Sequence, residues 1–128
     1  FSPEICISEI PDFSVNTNNV ELKSQFLSGG NLQKLIIGRE LITSPELLIC
    51  FNPTWGLDVG AINYIHETLI KINEQKKSII LISTDTDELL KLCDKICVIF
   101  KGKLSKIMDA EEVTSEKLGI LMGGGEIV

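Results

Sequence analysis

Apolar residues in this chain fall into short blocks and helical stripes that alternate along its length. Residues 46–51 and 78–83 are compact apolar runs of strand length, and each reads as a buried strand. Residues 96–100 and 104–108 flank Lys101-Gly102, the pattern of a hairpin with a two-residue turn. Between these blocks the spacing turns helical. From Leu32, the positions Leu35, Ile36, Leu41 and Ile42 predict a helix that ends near Thr43-Ser44-Pro45. After Gly56-Leu57-Asp58, Ile62, Ile65, Leu69 and Ile72 recur at three- and four-residue steps, with Lys71, Glu74, Lys76 and Lys77 turned to solvent. Thr84-Asp85-Thr86 caps a third helix through Leu92. A fourth runs from Thr114 through Leu118, Ile120, Leu121 and Met122 and stops at Gly123-Gly124-Gly125. Residues 1–24, with Pro3, Pro11 and Asn16-Thr17-Asn18-Asn19, read as an extended arm with one short element near residues 5–10. The order predicts an α/β fold with a mostly parallel sheet, flanking helices and a C-terminal β-hairpin.

Composition narrows this picture. A chain of 128 residues makes one domain, able to bury about two-thirds of its unfolded surface. No apolar run approaches the roughly 18 to 20 residues of a membrane span. The opening Phe1-Ser2-Pro3-Glu4 has no basic segment of a signal peptide, and the absence of an initiator Met predicts a piece of a longer chain. The net charge of −6 argues against a groove for nucleic acid. Cys6, Cys50, Cys93 and Cys97 form no Cys-x-x-Cys pair, which argues against zinc and for reduced thiols; Cys50 and Cys97 are expected in the core.

The chemistry lies in two motifs. In Leu27-Ser28-Gly29-Gly30-Asn31-Leu32-Gln33-Lys34 a hydroxyl and two adjacent glycines precede a helix, so the backbone can approach a ligand closely at the helix N-terminus. That is an anion site. Ser-Gly-Gly alone is weak, because the same triplet serves as a plain helix N-cap. The octapeptide followed by Pro53-Thr54-Trp55-Gly56-Leu57-Asp58 is far more specific, and the pair resembles the signature motif and D-loop of the ABC ATPases. The Gly-Gly-Asn-x-Gln-Lys form is similar to the sugar and nucleoside importer branch. The closing Leu-Gly-Ile-Leu-Met-Gly-Gly-Gly, from Leu118, is similar to the nucleoside importers. The resemblance covers about residues 12–128. It implies a partial P-loop NTPase core in which residues 1–24 end a helical subdomain and residues 25–128 form the C-terminal portion of the nucleotide-binding domain.

The chain departs from that family where the chemistry is done. In the family an apolar strand ends in Asp-Glu just before Pro-Thr-x-Gly-Leu-Asp, one acid for Mg²⁺ and one for the attacking water; here Phe51-Asn52 stand there. Phe51 can do neither task, and neutral Asn52 cannot accept the proton. The switch histidine is replaced by Thr84, whose plain reading is a helix-start residue, and the lone His66 lies mid-helix as a structural residue beside the apolar stripe. No Gly-x-x-x-x-Gly-Lys-Ser/Thr loop occurs in the 128 residues.

In the family two such domains meet head to tail. The resemblance therefore implies that Ser28, Gly29, Gly30, Asn31 and Gln33 complete an ATP site built mainly by the facing domain, while this domain's own site is dead and holds no metal. Gly56, Leu57 and Asp58 would form the D-loop, in which Asp58 would couple the two sites while also capping its helix. ATP and Mg²⁺ would be bound mainly by the partner, the N-terminal nucleotide-binding domain of the same subunit. Membrane permease subunits would hold the pair at the cytoplasmic face of the cell membrane, served indirectly by an extracytoplasmic solute-binding protein, and no nucleic acid is implied. The alternative is a regulatory or interaction module that kept the fold and lost nucleotide work.

Overall fold

The computed structural model describes residues 28–126, so the expected arm over residues 1–24, Cys6 and Leu27 lie outside the described residues. The chain divides after Ile80 into two compact units.

In the first unit, α1 (Gly29–Leu41) starts at the Ser28 cap, whose hydroxyl accepts from the Asn31 amide at 3.3 Å. Its buried face is Gly30, Ile37 and Gly38, while Ile36 and Ile42 are exposed. The expected stripe is thus shifted. The reason is close helix packing: a Cβ on Gly30 would stand 2.8 Å from the Cβ of Ala61, so the missing side chain sets the buried face. Strand β1 (Leu47–Phe51) leads to α2 (Val59–Glu74), which buries Ala61, Ile65, His66, Leu69 and Ile72. Ile65 is wholly inaccessible, and full burial of such a side chain contributes about 1.5–3 kcal/mol. His66 is buried within the stripe rather than beside it. Strand β2 (Ser78–Ile82), whose sequence runs across the division point, pairs with β1, the Ser78 amide donating to the Glu46 carbonyl at 2.9 Å.

The strands are less buried than their composition suggests. In β1 only Leu48 and Cys50 are covered, and Leu47, Ile49, Phe51, Ile80 and Ile82 remain exposed. Among the described residues the strands form three two-stranded sheets rather than one broad sheet, and no described layer covers this apolar face. Exposed apolar surface with an unpaired strand edge drives association. The isolated chain is therefore expected to self-associate, its molar mass in light scattering rising with concentration; a constant monomer mass would contradict this.

In the second unit, α3 (Thr86–Leu92) is capped by Asp85, whose carboxylate accepts from the amides of Asp87 and Glu88. Strand β3 (Lys95–Ile96) pairs antiparallel with β6 (Met108–Asp109), and β4 (Ile99–Phe100) pairs antiparallel with β5 (Lys103–Leu104). The turn is Lys101-Gly102, both at positive φ (46° and 77°), as a tight hairpin requires. The two ladders are out of step by one residue. Two residues, Cys97 and Val98, face three, Ser105, Lys106 and Ile107; the Val98 amide donates to the Ser105 hydroxyl at 2.9 Å across this bulge. The bulge interrupts the two continuous strands expected from the sequence, and Cys97 is exposed instead of entering the core. Cys93 is half-buried, and burial, reinforced by Asp94 and Glu88, pushes its thiol up. Helix α4 (Ser115–Met122) follows the Thr114 cap and ends in a left-handed Gly124, with the Gly125 amide donating to the Ile120 carbonyl at 2.9 Å. Ile96, Val98, Val113 and Leu118 form this unit's core.

Candidate nucleotide-phosphate site

The two motifs meet in the first unit. Gly29 opens α1 with its Cβ position 3.5 Å from Leu57 Cδ2, an ordinary contact, and Gly30 lies against Ala61 and within 3.8 Å of Asp58 Oδ2, measured from its Cβ position. The signature helix thus begins beside the D-loop of its own chain. Of its first amides, that of Asn31 goes to the Ser28 hydroxyl and that of Leu32 to the Ser28 carbonyl at 2.8 Å. No described residue accepts from the amides of Gly29 and Gly30. These groups carry the positive end of the helix dipole and suit an anion approaching from outside. Asn31 and Gln33 are half-buried in the opening residues of the helix.

The D-loop is built on two reversals. Asn52 takes a left-handed φ of 43°, which asparagine tolerates better than most residues, and the Trp55 amide donates to its carbonyl at 3.2 Å. Gly56 takes φ 73°, and the Leu57 amide returns to the Thr54 carbonyl. Thr54 is buried, while Trp55 is 84% and Phe51 73% exposed. Asp58 caps α2, accepting from the Ala61 amide at 3.0 Å. At the end of β1 the Phe51 ring offers no metal donor. Among the described residues no group of three His, Cys, Asp or Glu side chains is arranged for a metal ion.

Thr84 belongs to the second unit, in the loop before α3, where Asp85 rather than Thr84 provides the cap. A shallow groove in that unit, lined by Ser105, Lys106, Glu112 and Lys117 among others, contains none of the residues singled out by the motifs. Two residues on the site's supporting face escape motif reading: Ala61, and Tyr64, whose ring takes the Lys34 ammonium at 4.4 Å from its centroid. Their only sequence signal is the three-residue spacing behind the Asp58 cap.

The fold is that of an ATP-binding cassette, and the two adjoining motifs lie within it. The chain belongs to the ABC transporter ATP-binding proteins. It is 43% identical over 117 residues to the guanosine import ATP-binding protein NupO of Bacillus subtilis (strain 168), an alignment covering 91% of this chain and 23% of that protein. It is 46% identical over 116 residues to the nucleoside import ATP-binding protein NupA of Lactococcus lactis subsp. cremoris (strain MG1363), again covering 91% and 23%. The chain therefore spans about a quarter of the length of these relatives. No family model matches it. Among solved structures, the dimeric post-hydrolysis state of the ATP-binding cassette MJ0796 bound to ADP and Pi matches with a TM-score of 0.71 at 22% identity, covering 84% of this chain and 46% of that one, and so shares the fold.

Proposed function

We propose that this chain is the C-terminal portion of the second nucleotide-binding domain of an importer ATPase for nucleosides or simple sugars, and that it serves a facing domain's ATP while its own site is inactive. The observation that carries the reading is a contrast within one unit. The signature helix presents two glycine amides beside an ordered D-loop, whereas β1 ends in Phe51 and Asn52 where a metal acid and a catalytic base would stand. Phosphate fits the first place. Magnesium does not fit the second, and no step is assigned to it there.

When bound, the nucleotide supplies the γ-phosphoryl group whose transfer to water drives transport. The work of this chain is then positioning and charge stabilisation. Gly29 and Gly30 would offer their amides to phosphate oxygens, and the Ser28 hydroxyl lies beside them at the helix start. Asn31 and Gln33 hold the first turn in shape, and Asp58 reaches the facing site. The names of the two nucleoside-import relatives support nucleosides over simple sugars. Permease subunits at the cytoplasmic face of the cell membrane, an N-terminal nucleotide-binding domain of the same subunit and, indirectly, an extracytoplasmic solute-binding protein complete the assembly.

Calorimetry with Mg-ATP on the isolated chain tests the division of labour. No saturable binding is expected in the low micromolar range, because the 128 residues contain no phosphate loop. A saturable isotherm in that range would show that the chain builds a cradle of its own.

A further inference from the structure

The signature helix is braced along one side by a single face of α2. Gly30 and Lys34 lie four residues apart on α1, and Ala61 and Tyr64 lie three apart on α2, so each pair occupies one face of its helix. The contacts match in order. Gly30 meets Ala61 so closely that a Cβ would stand 2.8 Å from the alanine Cβ, and one turn on, the Lys34 ammonium sits 4.4 Å from the centre of the Tyr64 ring. The first contact fixes how near the two helices come, and the second fixes their rotation, because a cation is attracted to the ring face and not to its edge. Both helices start at the site: α1 at the Ser28 cap and α2 at the Asp58 cap. A rotation of α1 about its axis would swing the Gly29 and Gly30 amides away from whatever they address.

We propose that Tyr64 is a positioning residue for the signature motif, holding Lys34 and through it the rotation of α1. The proposal rests on the reading that this motif completes a facing ATP site. Tyr64 touches no nucleotide in this account. The facing domain holds the nucleotide, so a misaligned signature lowers turnover and leaves nucleotide binding nearly intact.

The test is steady-state ATPase kinetics on the intact transport ATPase carrying this chain, with three variants. Tyr64→Leu is expected to lower kcat about tenfold with the KM for ATP changed less than about twofold. Tyr64→Phe, which keeps the ring face, is expected to restore kcat to within about twofold of the parent. Lys34→Met combined with Tyr64→Leu is expected to cost no more than Tyr64→Leu alone, as two members of one contact should. The proposal is overturned if Tyr64→Leu lowers thermal stability but leaves kcat unchanged. It is equally overturned if Tyr64→Phe loses as much as Tyr64→Leu, or if the double variant loses the sum. Gly29→Asp in the same preparation separates the two levels: if it too leaves kcat unchanged, the signature reading itself has failed, whereas a collapse there beside an indifferent Tyr64→Leu removes only the role of Tyr64.

Discussion

Gly29→Asp in the intact transport ATPase is expected to cut ATP turnover by about a hundredfold or more, the scale seen when one group stabilising a developing charge is lost. The substitution places a carboxylate at the first residue of α1, where on the proposed function the γ-phosphate would approach, and adds like-charge repulsion to steric exclusion. The fold itself should not object. A Cβ at position 29 makes only an ordinary contact, 3.5 Å from Leu57 Cδ2, and an acidic residue in the first turn is favourable to the helix by about 0.3–1 kcal/mol. Thermal unfolding of the variant should therefore match or exceed the parent, which isolates the loss as one of ligand contact. Asn52→Ala is the contrasting change. It lies at the end of β1, after Phe51, where the proposed function places an inactive site, so turnover should stay within about threefold of the parent. Full activity in both variants would make the signature dispensable and favour a regulatory module. Loss of turnover in Asn52→Ala alone would mean that the degenerate site works after all.

Gly29 and Gly30 look equivalent in sequence, and the structure separates them. Gly30 is demanded by packing against Ala61, while the fold leaves room for a small side chain at Gly29. Adjacent glycines carry no mark of which neighbour will crowd them, so this division is invisible until α2 is placed. The elements themselves were readable, because long-range burial leaves a periodic trace: α2 follows its apolar stripe, and Lys101-Gly102 makes the expected turn. Three features were not. The buried face of α1 is set by glycines, which carry no hydrophobic signal. The hairpin bulge depends on a hydroxyl, that of Ser105, replacing a backbone acceptor. The apolar runs of β1 and β2 predicted burial on both faces, yet burial depends on what covers a sheet, and composition cannot report that. Motif spacing singled out Ser28 to Gly30 and Asp58 as candidates, and that the two motifs adjoin came from the fold. Tyr64 needed the three-dimensional match of two helix faces, since an isolated aromatic in a helix usually signals core packing alone.

Leu118→Ala is expected to destabilise the second unit by about 2–5 kcal/mol, a large share of the stability of an ordinary domain. Leu118 is 1% exposed and packs with Ile96, Val98 and Val113, with Leu89, Leu90 and Leu121 around them. So small a core cannot close over the cavity, because Ile96 and Val98 sit on a hairpin fixed by two offset ladders and by the Val98–Ser105 hydrogen bond. Two companion variants assign the cause. Leu118→Met nearly conserves volume and should cost less than about 1.5 kcal/mol. Gly119→Ala places its Cβ in open space in the interior of α4 and should stabilise by about 0.5–1 kcal/mol through helix propensity. Gly124→Ala should go the other way, since that residue holds φ 84° and its Cβ would meet the Phe100 ring. Hydrogen exchange under native conditions is the measurement, read at the amides of α4 and of the β3–β6 ladder. Leu118→Ala should speed exchange there by about thirtyfold or more, following the lost free energy, while the amides of α2, whose core is Ile65, Leu69 and Ile72, are affected much less. Equal acceleration throughout the chain would mean that the two units unfold as one and that their separate cores do not define separate stabilities.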